Sequence, residues 1–124
     1  EYSTGITGLS NNEIHSEIMK KILAHMEAHF NDDITIGDLS VMAFLSPAQL
    51  CRVFKQATGS TIKEFMQKMR IETACRILCE TDKPICEISE IVGYKDVKYF
   101  TGLFAKITGK KPSEFRKDSK GRFF

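Results

Sequence analysis

Leu50-Cys51-Arg52-Val53-Phe54-Lys55-Gln56-Ala57-Thr58-Gly59 begins again at position 100 as Phe100-Thr101-Gly102-Leu103-Phe104-Ala105-Lys106-Ile107-Thr108-Gly109. The apolar residues pair off as Leu50 with Phe100, Val53 with Leu103 and Phe54 with Phe104, a spacing that lines one side of a helix. Both runs stop at Thr-Gly, where glycine supplies a left-handed helix end. A short helical segment precedes each run, over residues 36–44 and 85–92. Helix, tight turn, helix therefore occurs twice, the layout of a paired helix-turn-helix.

Working outward, the start and stop signals are as regular as the repeat. Ser46-Pro47-Ala48-Gln49 opens the first repeated helix: serine caps, proline takes the first turn and glutamine reaches back. Thr35 with Asp38 opens the short helix before it. Only about two residues are expected between this pair, so the helices cross steeply. Thr61-x-x-Glu64 begins a longer helix to about residue 80, with Ile62, Phe65, Met66, Met69, Ala74, Ile77 and Leu78 as its buried side and Lys63, Lys68, Arg70 and Arg76 as basic positions. Thr81-Asp82-Lys83-Pro84 breaks it, Gly93-Tyr94 turns the chain, and Asp96 caps the second repeated helix, whose inward side reads Tyr99, Phe100, Leu103, Phe104 and Ile107. Pro112 starts a final short helix. At the other end, Ser10-x-x-Glu13 forms a capping box with Leu9 and Ile14 as its staple, and Ile14, Ile18, Ile22, Met26 and Phe30, joined by Met19 and Leu23, give one apolar face. No strand pattern is present. The expectation is an all-α chain of about seven helices: a disordered lead-in over 1–9, a first helix-turn-helix lobe over 10–60, a central linker helix over 61–82, a second lobe over 83–117 and a tail over 118–124.

The 124 residues suffice for one domain or two small lobes with a modest core. No apolar run approaches the ~18–20 residues that a membrane-spanning helix needs. Glu1 is no natural start and no signal-peptide pattern follows, so an upstream part is expected to be missing. The net charge of +2 hides an asymmetry. Residues 1–35 hold Lys20 and Lys21 against Glu1, Glu13, Glu17, Glu27, Asp32 and Asp33, a balance of −4, which leaves +6 on the remainder. A basic portion that contains a repeated helix pair suits a polyanionic partner. Cys51, Cys75, Cys79 and Cys86 form no paired zinc pattern and are expected as free thiols on or near the core of a cytoplasmic protein. His25 and His29 stand four apart as metal ligands on a helix can, but a third ligand is lacking. A partly buried structural role is expected instead, with no metal and no cofactor. No phosphate-binding glycine loop, nucleophile elbow or convincing carboxylate pair supports an enzyme.

The block Ser46-Pro47-x-x-Leu50-x-Arg52-x-Phe54-Lys55-x-x-Thr58-Gly59 resembles the first recognition segment of AraC/XylS-type transcription regulators. Arg70-Ile71-Glu72-x-Ala74 with Ile77-Leu78 is similar to their linker helix. The run from Ile85 through Val92-Gly93-Tyr94-x-Asp96-x-x-Tyr99-Phe100-x-x-x-Phe104, and Gly109-x-x-Pro112-Ser113-Glu114-Phe115-Arg116, resemble the second segment and its closing helix. The resemblance implies sequence-specific binding of double-stranded DNA, with each lobe placing its second helix in a major groove. The two grooves would lie one helical turn apart, ~34–36 Å. The linker helix of about twenty residues, ~30 Å long at 1.5 Å per residue, would be the strut. It further implies a longer regulator with an upstream sensing, receiver or dimerisation domain and RNA polymerase as a further partner.

On the helix from Pro47, Leu50, Val53 and Phe54 point inward, and Ala48, Cys51, Arg52 and Lys55 fall on the other side. Matching positions in the family put Ala48, Cys51 and Arg52 at the groove. Arg52 suits guanine, whose O6 and N7 accept its two parallel N–H groups. Lys55 suits phosphate, as do Thr35, Gln49 and Lys106. The second helix departs from the family's pattern: Gly102 stands where arginine is common and Ala105 where a basic residue is common. Lys95, Lys98 and Thr101 remain as its base contacts, and this lobe is expected to read sequence weakly and to bind mainly phosphate. The first turn departs too. Phe44 occupies the place of Gly93, so either the turn is built differently or Phe44 anchors a neighbouring domain. The competing reading is a helical protein-interaction module whose basic surface is incidental.

Overall fold

The computed structural model describes the backbone of residues 11–121 and the side chains of 13–119. The lead-in 1–9, the Ser10 cap with its Leu9 staple and residues 122–124 lie outside the described residues. Seven helices and no strand occur among those described: α1 Asn11–His29, α2 Ile36–Ala43, α3 Pro47–Thr58, α4 Ile62–Glu80, α5 Ile85–Ile91, α6 Val97–Thr108 and α7 Pro112–Gly121. The last helix runs on through residues 118–121, beyond the end at 117 expected from the sequence.

The chain packs as two units. The first holds α1, α2, α3 and the start of α4, as far as Phe65; the second holds Phe30–Asp33 and everything from Met66 onward. In the first unit Met19, Ile22 and Met26 of α1, Leu39 and Ala43 of α2, and Leu50, Val53 and Phe54 of α3 are buried, with Ile62 joining from α4. The buried face of α1 thus turns on Met19, Ile22 and Met26, while Ile14, Ile18 and Leu23 are only half-buried. In the second unit Ile71, Ala74 and Leu78 of α4 pack with Ile88, Val92, Phe100, Leu103 and Phe104. Helix α4 from Met66 onward packs in the second unit. Ile71, absent from the expected buried set, is 1% exposed.

The repeat reaches further than the sequence suggested. Thr58 Oγ1 donates to Phe54 O at 2.9 Å and Thr108 Oγ1 to Phe104 O at 2.9 Å, and each hydroxyl also accepts from the backbone N–H two residues on, at 3.2 Å. Gly59 and Gly109 end their helices at φ 81° and 85°. Beyond them Phe65 meets Phe54 edge-on at 5.4 Å, and Phe115 meets Phe104 edge-on at 5.4 Å. Such pairs contribute ~0.5–1.5 kcal/mol beyond their buried area. The first turn of α4 thus does in one unit what α7 does in the other: it closes the core behind the repeated helix.

Candidate nucleic-acid interface

Each repeated helix is set by its own turn. In the first unit Thr35 and Asp38 cap α2 reciprocally, and Ser46 and Gln49 cap α3 in the same way with Pro47 in the first turn. Phe44, Leu45 and Ser46 separate the two helices. Phe44 itself adopts left-handed geometry, φ 56° and ψ 35°. The turn is therefore left-handed at Phe44, just as φ is positive (102°) at Gly93 in the second unit, and the idea of a differently built turn is set aside. A non-glycine residue there costs ~1–2 kcal/mol. The backbone N–H of Phe44 is taken up by Ser40 O and Val41 O, and that of Leu45 by Ser40 O at 3.2 Å. Phe44 is 78% exposed.

On α3, Ala48, Cys51, Arg52 and Lys55 are all exposed, opposite buried Leu50, Val53 and Phe54, as the sequence predicted. Cys51, Arg52 and Lys55 also line a cleft together with Ile36, Ile62, Gln56, Thr61 and Lys63. Arg52, Lys55 and Lys63 thus bring three cations to one rim. Lys63 was missing from the expected contacts, although its place in the first turn after Gly59 was a readable signal. Thr35 and Gln49 are exposed and each spends its side-chain oxygen as an acceptor inside a cap, from Asp38 N at 3.0 Å and Ser46 N at 3.0 Å. Accepting in this way leaves the Thr35 hydroxyl hydrogen and the Gln49 amide hydrogens able to donate.

In the second unit Asp96 caps α6, its Oδ1 accepting from Lys98 N at 3.0 Å and Tyr99 N at 3.3 Å. Lys98, Gly102 and Lys106 are exposed on α6, with Thr101 and Ala105 half-buried. Thr101 Oγ1 donates to Val97 O at 2.8 Å, so towards a base it offers only lone pairs and a methyl group. Lys95 is exposed but lines a cleft with Asp32, Asp33 and Glu90, which weakens the positive potential around it. A Cβ on Gly102 would meet nothing within 4 Å, so no packing demand explains the glycine. Tyr99 and Ile107, expected inside, are 48% and 42% exposed. Tyr99 leans on Tyr94 at 5.6 Å, and its hydroxyl accepts from Gln67 Nε2 at 3.2 Å.

The thiols are less buried than expected. Cys51, Cys79 and Cys86 are exposed and only Cys75 is half-buried. Burial, then the neighbouring Cys79 and Glu72, push the Cys75 thiol up to about 11. The His25 and His29 rings lie 4.7 Å apart and tilted. His25 is half-buried and His29 exposed. Among the described residues no group of three or more His, Cys, Asp or Glu is placed to hold a metal ion. None of the described helices is long and apolar enough to cross a membrane.

Comparison with known proteins agrees with this geometry. A helix-turn-helix domain family matches residues 39–118, and the chain belongs to that family, in its AraC/XylS type. It is 34% identical over 105 residues to the bifunctional transcriptional activator/DNA repair enzyme AdaA of Bacillus subtilis, covering 85% of this chain and 50% of that protein. Among solved structures, the C-terminal domain of the two-component response regulator yesN from Fusobacterium nucleatum shares 30% identity at a TM-score of 0.70, over 86% of this chain and 99% of that one. The DNA-binding domain of AdpA, solved in complex with a target DNA, superposes at a TM-score of 0.79 over 84% of this chain and 94% of that one; at 22% identity it shows the shared fold. The chain spans from about a third to half the length of the curated relatives it matches.

Proposed function

We propose that this chain is the part of a longer transcription regulator that reads double-stranded DNA, with α3 and α6 entering successive major grooves. The observation that carries the reading is the outward face of α3, where Ala48, Cys51, Arg52 and Lys55 stand exposed behind a left-handed turn and a reciprocal cap. Arg52 reads guanine through two parallel hydrogen bonds, Ala48 meets a thymine methyl, and Cys51 contributes a weaker contact. Lys55, Thr35, Gln49, Lys106 and, added from the cleft, Lys63 hold phosphates. In the second unit Lys95, just before α6, and Lys98 and Thr101 on it face the bases, but Gly102 and Ala105 offer them nothing polar, so this helix holds backbone more than it reads sequence. The role is binding without catalysis, in the cytoplasm. The rest of the regulator senses a signal, accepts a phosphoryl group or dimerises, and the bound protein contacts RNA polymerase.

Selection from random duplexes followed by footprinting tests this. A preferred sequence should bind ~10³-fold or more tighter than random duplex, with affinity falling steeply between low and moderate salt. Two protected stretches should appear about ten base pairs apart. Base substitutions should cost more in the stretch under α3. A flat salt response without sequence preference would instead favour a protein-interaction module.

A further inference from the structure

We propose that Arg70 is a positioning residue for α6, locking the turn before that helix to the connector Phe30–Asp33 through backbone carbonyls and not by touching DNA. Arg70 lies on α4 with the basic residues Lys63, Lys68 and Arg76. Its guanidinium is nevertheless turned into the second unit. Nε donates to Phe30 O at 2.6 Å, Nη2 to Asp32 O at 3.0 Å and Nη1 to Gly93 O at 3.3 Å. Its plane lies over the Tyr94 ring, with Cζ 4.9 Å from the ring centre. One planar fork therefore holds both sides of a junction between segments far apart in sequence.

Gly93 is shaped to this contact. A Cβ there would stand 2.9 Å from Arg70 Cζ and 3.0 Å from Asn31 O, and its φ of 102° is one that side chains rarely adopt. The turn is held from its other side as well: Ser89 Oγ donates to Tyr94 O at 2.7 Å, and Tyr94 N to Ser89 O at 2.8 Å. From the turn the contact passes to α6, since the Tyr94 ring lies 5.6 Å from Tyr99 and 6.1 Å from Phe100. The pose of α6 thus depends on a residue of α4 and on the connector after α1. That connector clusters with the second unit even though the helices on either side of it belong to the first.

The inference rests on the proposed DNA reading for its consequence, but its geometry can be tested without DNA. The Arg70→Lys variant keeps charge and stem and loses the planar fork, so a phosphate-binding role would survive it and a lock would not. In Arg70→Lys, amide exchange over residues 30–33 and 93–96 should accelerate tenfold or more, with α3 amides unchanged. On the selected duplex, footprint protection should fade under α6 and persist under α3. Because that variant could unfold, the unaltered chain supplies a second readout. The Arg70 Nε–H should give a nuclear magnetic resonance signal that exchanges with water far more slowly than those of Arg52 and Arg76. Rapid exchange of that proton, or parental behaviour of Arg70→Lys, would each overturn the proposal. If the unaltered chain prefers no duplex, the DNA reading fails while the two exchange measurements still decide the role of Arg70.

Discussion

Replacing Gly102 by alanine should stabilise the protein, and replacing it by arginine should tighten its grip on DNA. Gly102 lies inside α6, exposed, with open space where a Cβ would go. Its backbone is not among those with positive φ, so an L-residue fits without strain. Glycine in a helix interior costs ~0.8–1 kcal/mol relative to alanine, largely through the unfolded chain's freedom. The gain is worth about 3–6 °C in melting midpoint for a chain of this size. Arginine is nearly as good a helix former, so Gly102→Arg should keep most of that gain. It should also add one phosphate or base contact under α6 and steepen the salt dependence of binding by ~0.9. Thermal melts followed by circular dichroism, and anisotropy titrations at several salt concentrations on the selected duplex, give both numbers. A lower midpoint for Gly102→Ala would mean that the α6 backbone needs glycine for a reason the packing does not show. A stabilised Gly102→Arg with the parent's salt slope would mean that this face of α6 does not meet DNA. A stabilised Gly102→Ala that no longer binds would mean that α6 approaches the DNA so closely that a methyl group is excluded.

Other outcomes follow from the same geometry. Arg52→Ala should cost ~1–3 kcal/mol in binding and relax preference at one base pair, read by competition with single-substituted duplexes; unchanged preference would remove Arg52 from the bases. Ser46→Ala deletes the acceptor that satisfies Gln49 N and should cost ~1 kcal/mol in urea unfolding, with no loss expected if the α3 cap is unimportant. Because Cys75 is raised from 9.0 to about 11, the folded state favours its protonated thiol; that contribution is intact below pH 9 and lost as pH rises through 11. The melting midpoint should therefore fall over this window, less steeply in Cys75→Ala, with Tyr94, also raised by burial, adding to the slope in both proteins.

Much of the fold was legible because its signals are local. The reciprocal caps at Thr35, Ser46 and Thr61, the stops at Gly59 and Gly109 and the spacing of Leu50, Val53 and Phe54 each concern residues within a turn or two of one another. Such short-range rules state where helices begin, where they end and which side they bury. The exposed face of α3 was legible on the same ground, being the complement of its buried stripe.

What the sequence could not supply was decided by contacts between distant segments. Periodicity placed Tyr99 and Ile107 inside, but the core of the second unit is filled by Phe100, Leu103 and Phe104, and the edge of the stripe stays in water. Composition suggested sheltered thiols, yet exposure depends on what faces each one. Arg70 read as one more basic residue on a helix. Its three acceptors lie 23, 38 and 40 residues away, and only their convergence turns a surface cation into a lock. The sequence by itself determined about seven helices, four of them in two repeated pairs, because capping and amphipathic spacing act over a few residues. The tertiary structure alone decided which polar groups are spent within the fold and which remain for a partner, because that depends on where the backbone of remote segments comes to rest.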